Sequence, residues 1–175
     1  LDTTKIVIIG IPENRNSIDY LGDELNLNEI RKSLYNLYPG NWSTEISDLG
    51  NLILGESVEQ TYGRIISMLS ILFEKNIIPI IIGGSHDLLY ANYRAYDSFK
   101  STVNIVNIDS NFDIGDSAKP INNLSYLGKI ILDEPHNLFN YSNLGYQTYH
   151  NSQEEIDLIE NLYFESYRLG EVCSN

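Results

Sequence analysis

Apolar residues along this chain alternate between short continuous runs and longer stripes with helical spacing. Three runs rich in β-branched residues predict strands buried on both faces of a parallel sheet: Lys5 to Gly10 (KIVIIG), Ile77 to Ile82 (IIPIII) and Val103 to Asp109 (VNIVNID). Weaker patterns predict strands at Lys129 to Leu132, at Leu144 to Tyr149 and beginning at Leu169 to Val172.

The clearest helical stripe begins at Val58 and ends at Phe73, with apolar residues recurring on one face. Ser57 and Gln60 have the spacing of a capping box at its start. Further helices are predicted from Leu27 to Leu37 before Pro39-Gly40, from about His86 to Asp97, and from about Gln153 to Tyr167. Strands alternating with helices predict one three-layer α/β/α domain with a mainly parallel sheet, covering residues 1–175.

Composition and charge narrow the classes of partner. The 175 residues are 42% hydrophobic and 20% charged, which is ordinary globular usage. The net charge of −13, from 24 acidic and 11 basic residues, argues against nucleic acid and anionic membrane surfaces as partners. No apolar run approaches the ~20 residues of a spanning helix. Cys173 is the sole cysteine, so we expect a reducing, cytoplasmic compartment and no disulfide framework.

Two polar segments directly follow predicted strands, Gly83 to Asp87 after IIPIII and Asp109 to Asp113 after VNIVNID. Ligands gather at the carboxyl ends of parallel strands, so His86, Asp109 and Asp113 are candidate ligands of one divalent metal ion. Mn, Zn, Fe and Mg all suit such a set. The structural alternative is a Gly-Gly turn and helix-capping carboxylates without any metal.

The run from Pro79 to His86, followed by Asp109-Ser-Asn-Phe-Asp113, resembles the first two metal motifs of the ureohydrolase family, which includes arginase, agmatinase and formimidoylglutamase. The likeness spans essentially the whole chain and is nearest to formimidoylglutamase-like members. It implies an arginase-like α/β fold, Mn²⁺ as cofactor, and His86, Asp109 and Asp113 as ligands of one metal, with Asp109 bridging to a second. It also implies hydrolysis of a C–N bond in a small guanidino or formimidoyl substrate, and a homo-oligomer.

The chain departs from this family pattern at two points. Asn111 stands where the family has a histidine ligand of the second metal, and Ser110 replaces an alanine. A carboxamide is a poorer ligand than imidazole, which predicts a weakened second site. The family's later aspartate-x-aspartate motif has no match. We therefore expect residues 1–175 to be the N-terminal part of a single arginase-like domain without its C-terminal half, inactive alone and binding Mn²⁺ weakly.

Three functional hypotheses follow. The first is a metal-dependent hydrolase in the full-length protein. The second is a non-catalytic family member with a degenerate metal site, acting in binding or assembly. The third is a phosphate or nucleotide binder that uses Gly83 and Gly84 at a helix N-terminus, and the lack of a Walker lysine and of a G-x-G-x-x-G motif counts against it.

Overall fold

The computed structural model describes residues 3–18, 26–38, 40–41 and 43–173. The chain divides into two compact units, Leu1–Ala95 and Tyr96–Asn175. Each unit contains a three-stranded sheet whose paired strands are all parallel. The predicted α/β class with parallel sheets is confirmed, whereas a single domain over residues 1–175 stays a prediction. Within the described part, every helix is too short or too polar to cross a membrane.

The first unit alternates strands and helices, and its sheet has the order β2-β1-β3. Its elements are β1 (Ile6–Ile11), α1 (Asn28–Tyr35), β2 (Ile46–Asn51), α2 (Val58–Glu74), β3 (Ile78–Gly83) and α3 (Leu88–Arg94). The central strand β1 is buried at five of its six positions, as its continuous β-branched run predicts. The predicted helix stop at Pro39 lies outside the described residues.

The second unit repeats this alternation, with sheet order β4-β5-β6. Its elements, in chain order, are a 3-10 turn (Asp97–Phe99), β4 (Val103–Ile108), α4 (Tyr126–Leu132), β5 (Leu138–Tyr146), a second 3-10 turn (Thr148–His150), α5 (Gln153–Asn161), β6 (Glu165–Arg168) and α6 (Leu169–Cys173). Parallel pairing aligns Ile108 of β4 with Leu144 of β5, so β4 and β5 end at the same edge of the sheet.

Helix α2 begins as its sequence predicts. The Ser57 hydroxyl accepts a hydrogen bond from the Gln60 backbone N–H at 3.3 Å. The Gln60 side chain, however, accepts from the backbone N–H of Glu56 at 3.0 Å, one residue earlier than in a standard capping box. The buried face of the helix carries most of the predicted stripe, including Ile65 and Leu69, which are 0% exposed.

Some of the predicted elements need correction, and one strand was not predicted. Lys129 to Leu132 belongs to helix α4 rather than to a strand, because Tyr126 and Ile130 lie one turn apart and are both buried. The last predicted helix ends at Asn161, since Tyr163 adopts a left-handed φ of 57° and the chain continues as β6. Leu169–Cys173 is helical, not a strand. Strand β2 was not predicted, because its sequence ISDLGN lacks an apolar pattern.

Candidate functional site

Two carboxylates meet at the carboxyl end of β4. Asp109 directly follows the strand and is half-buried, whereas Asp113 is 3% exposed. Each offers a carboxylate oxygen within 4.8 Å of the other's. Asp113 has a positive φ of 56°, a left-handed conformation that non-glycine residues rarely adopt and that surrounding contacts must hold. The second unit therefore brings together the two aspartates that the sequence singled out.

The loop between the two aspartates turns back on Asp109. The Asp109 carboxylate accepts hydrogen bonds from the Asn111 backbone N–H at 3.1 Å and from the Ser110 hydroxyl at 3.4 Å. The Ser110 hydroxyl also lies 2.8 Å from the Asn111 side-chain oxygen and can donate to it. Asn111 is thus part of the loop's own hydrogen-bond network, at the position where the family resemblance places a second-metal ligand.

Two buried tyrosines, Tyr126 and Tyr141, interact with these carboxylates. Burial, followed by the charge of Asp113, raises the pKa of Tyr126 far above its ordinary value, and a hydrogen bond to Asp113 adds to the rise. Burial also raises the pKa of Tyr141 to about 12, although hydrogen bonds from Asn143 and Asn107 act in the opposite direction. Both phenols therefore remain protonated at neutral pH, so the Tyr126 hydroxyl can serve as a donor to Asp113.

Two asparagines contact the backbone of the same loop. Asn151 accepts a hydrogen bond from the Phe112 N–H at 2.8 Å and donates to the Ser110 carbonyl at 2.9 Å. Asn143, which is 0% exposed, donates to the Asn111 carbonyl at 3.1 Å. Neither asparagine had a role predicted from the sequence. The one sequence signal for such a role is that they lie just before and after the end of β5, the strand that pairs with β4.

In the first unit, His86 lies in the turn between β3 and α3 and is exposed. The turn passes close to the residues after β1: a Cβ on Gly84 would lie 1.7 Å from the Glu13 carbonyl oxygen. That carbonyl also accepts a hydrogen bond from the Ser85 N–H at 2.9 Å. Glycine is therefore required at position 84, and the turn that carries His86 is fixed to the end of β1.

Asp87 is fully buried beside His86, but its side chain does not cap α3. It accepts hydrogen bonds from the hydroxyls of Tyr62 and Ser85 instead. Burial, followed by the hydrogen bond to Asp87 and its charge, raises the pKa of Tyr62 far above its ordinary value. Asp87 thus ties the turn to α2, a role that the sequence pattern of a helix cap did not predict.

Glu13 is a buried carboxylate just after β1, and no site role was predicted for it from the sequence. Arg15 donates to it from its side-chain Nε at 2.9 Å and from its backbone N–H at 3.1 Å. Burial alone raises the pKa of Glu13, but these hydrogen bonds outweigh it and hold the pKa below its ordinary value. Glu13 is therefore charged at neutral pH and acts as the anchor of this loop. The other two histidines, His136 and His150, are both exposed.

The chain thus has parallel α/β units with candidate metal ligands at the carboxyl ends of their strands. The model of the Arginase family matches residues 4–174. The chain belongs to this family. A formimidoylglutamase from Macrococcus caseolyticus is 28% identical over 157 residues, which cover 86% of this chain and 48% of that protein.

Solved structures of low sequence identity share the fold. Trypanosoma cruzi formiminoglutamase with Mn²⁺ superimposes with a TM-score of 0.86 at 19% identity, covering 98% of this chain and 62% of that one. A variant of the same enzyme with an asparagine replaced by histidine, also with Mn²⁺, has a TM-score of 0.87 at 19% identity, covering 99% of this chain and 62% of that one. The chain spans 37–48% of the length of three curated formimidoylglutamases that it matches.

Proposed function

We propose that the full-length protein hydrolyses a C–N bond of a small formimidoyl or guanidino substrate, using Mn²⁺ bound by His86, Asp109 and Asp113. The observation that carries this proposal is the approach of the Asp109 and Asp113 carboxylates to within 4.8 Å at the end of β4. Two carboxylates so close repel each other unless a cation or a proton lies between them. Membership of the Arginase family favours the cation.

The donor chemistry fits manganese. Carboxylate oxygens suit Mn²⁺, and a neutral imidazole nitrogen completes a mixed nitrogen and oxygen set. His86 would supply that nitrogen from the turn after β3, and its exposure leaves the imidazole accessible. Bound Mn²⁺ supplies Lewis-acid activation of water at neutral pH. The protonated Tyr126 hydroxyl hydrogen-bonds to Asp113 and orients its carboxylate.

Relatives favour a formimidoyl substrate over a guanidino one. Two curated proteins that match 77% and 86% of this chain are formimidoylglutamases, and a T. cruzi formiminoglutamase was solved with Mn²⁺. We therefore propose a formimidoyl compound as the substrate, with formamide as one product. The single exposed cysteine, Cys173, suits a reducing cytoplasm, which we propose as the compartment.

Asn111 supports a second candidate, a non-catalytic family member that acts in binding or assembly. Its carboxamide is a weak ligand, and its oxygen lies 2.8 Å from the Ser110 hydroxyl within the loop. A protein whose second metal site has decayed could retain the fold without the reaction. The 175-residue chain alone is predicted to be inactive under both candidates.

Metal content and product release from the full-length protein test the proposal. We expect stoichiometric Mn²⁺ by elemental analysis, and formamide release from a formimidoyl substrate that exceeds urea release from arginine or agmatine. Asp109→Asn should abolish both metal binding and turnover. Asp157→Asn, an exposed position on α5, is the matched control and should leave both unchanged.

The Asn111→His variant separates the two candidates. If Asn111 is a degenerate ligand position in an otherwise intact site, histidine adds a second Mn²⁺ and raises turnover. If neither the wild-type protein nor the variant binds metal, the hydrolase proposal fails and the non-catalytic candidate stands. Release of urea but not formamide would support the hydrolase proposal and contradict the formimidoyl substrate class.

A further inference from the structure

The loop after β4 is irregular, so its backbone polar groups must find partners outside helix and sheet pairing. Asn151 provides two such bonds. Its side-chain oxygen accepts from the Phe112 N–H at 2.8 Å, and its side-chain nitrogen donates to the Ser110 carbonyl at 2.9 Å. The same nitrogen also donates to the Gln147 carbonyl, in the segment after β5, at 2.9 Å. The Asn151 side chain therefore pairs with a backbone N–H and with a backbone carbonyl of the loop, as the backbone of a neighbouring strand would.

Asn143 reaches the same loop from β5. Its side-chain nitrogen donates to the Asn111 carbonyl at 3.1 Å and to the Tyr141 hydroxyl at 3.2 Å. Asn143 is 0% exposed, so water does not compete for these bonds. Asn143 and Asn151, which we call the asparagine clamp, bind three consecutive residues, 110 to 112, between the two aspartates.

Aromatic packing closes the loop on its buried side. Phe112 is 0% exposed, and its ring centroid lies 4.9 Å from that of Tyr146. The next residue, Asp113, is the one with a left-handed backbone, which costs conformational energy unless the surroundings hold it. The asparagine clamp and the Phe112 ring thus fix the backbone immediately before the strained aspartate.

We infer that Asn143 and Asn151 are positioning residues for the metal: they hold the loop so that Asp109 and Asp113 present their carboxylates together. This inference rests on the proposed function. Without a clamp, mutual repulsion would drive the two carboxylates apart, and metal binding would first have to order the loop. With the clamp, the loop is already ordered in the folded protein, and the ion binds to a preformed pair of carboxylates.

The test compares Mn²⁺ binding by the full-length protein and two variants. Outer residues that orient metal ligands typically contribute roughly 10–100-fold to affinity, so Asn151→Ala should weaken Mn²⁺ binding by about that factor. It should also change the visible spectrum of bound Co²⁺, which reports ligand geometry rather than stability. Asn104→Ala, at an exposed position on β4, is the matched control and should change neither.

Hydrogen exchange in the metal-free protein gives a second readout. The Phe112 amide should exchange faster in Asn151→Ala, because its acceptor is gone, while amides of α5 keep their protection. If Asn151→Ala fails to fold, Asn151→Asp replaces it. The aspartate keeps the acceptor for Phe112 and loses both donated bonds, so the inference expects weaker Mn²⁺ binding although the added negative charge alone would strengthen it.

The outcomes separate this inference from the proposed function. Wild-type Mn²⁺ affinity and an unchanged Co²⁺ spectrum in Asn151→Ala would overturn the clamp and leave the metal site standing. Equal or tighter Mn²⁺ binding by Asn151→Asp would do the same. If the wild-type protein binds no Mn²⁺, the proposed function and the clamp both fail.

Discussion

At the scale of single residues, Gly84 is constrained by its neighbour rather than by its own backbone angles. A methyl group there would lie 1.7 Å from the Glu13 carbonyl oxygen, far inside van der Waals contact. Because both atoms belong to the backbone, neither can move without shifting β1 or the turn that carries His86. Glycine at position 84 is therefore required by packing as well as by the turn after β3.

Gly84→Ala should lower the free energy of unfolding by at least about 1–3 kcal/mol, the usual cost of overpacking. The matched control is Gly63→Ala on α2, where an added Cβ meets nothing within 4 Å. That substitution should instead stabilise the protein by roughly 0.5–1 kcal/mol, because alanine is the better helix former. Urea unfolding measures both, and equal effects of the two substitutions would contradict the packing argument.

The sequence was sufficient to single out Asp109 and Asp113, because they begin and end the short segment that directly follows the β-branched run of β4. It was insufficient for Asn143 and Asn151. Their partners lie 32 and 39 residues away, and the contacts depend on where β5 places the chain beside β4. An asparagine that bonds to a distant backbone leaves no local pattern, since most asparagines in such segments serve turns.

At the scale of elements, strands with continuous apolar runs were predictable and strands with mixed composition were not. β1, β3 and β4 were predicted within one residue at each end. β2 contains three polar side chains, Ser47, Asp48 and Asn51, and Gly50 with a φ of 77°. Asp48 accepts from Arg31 at 2.7 Å, so an ion pair with α1, rather than apolar burial, secures this strand against its neighbour helix.

Substitutions on the buried and exposed faces of helix α2 test directly which face packs against the core. Leu69 is 0% exposed and Ile71, two residues further on, is 55% exposed. Leu69→Ala should cost about 2–5 kcal/mol of unfolding free energy, since it removes core contacts and leaves a cavity. Ile71→Ala should stay within about 0.5 kcal/mol of the wild type. Comparable losses at the two positions, measured by thermal or urea unfolding, would show that the helix is rotated from this placement.

At the scale of the whole molecule, one face of the second unit's sheet carries a group of apolar side chains that are exposed to solvent. Val106 is 66% exposed and Ile108 is 82% exposed on β4. Parallel register places Ile108 beside Leu144 and Leu144 beside Tyr167, so these side chains continue the same face across three strands. Soluble proteins rarely leave such a contiguous apolar surface uncovered, which indicates an interaction surface.

The 175-residue chain should therefore self-associate as its concentration rises. Replacing Val106 and Ile108 together by threonine keeps the β-branched shape and should shift the chain toward monomer. Ile53→Thr, a change at a loop position of the first unit that is 79% exposed, is the control and should not. Sedimentation velocity over a concentration series measures this, and a strictly monomeric wild-type chain at high concentration would refute it.

Asn151 also sets a limit on how long the loop after β4 keeps its shape. Side-chain amides of asparagine are among the thermolabile groups of proteins, and Asn151 precedes the small residue Ser152. Deamidation would leave a carboxylate that still accepts from Phe112 but no longer donates to Ser110 and Gln147, and would set its charge against both carbonyl oxygens. In stored protein, this loop therefore keeps its conformation only as long as the Asn151 side-chain amide remains intact.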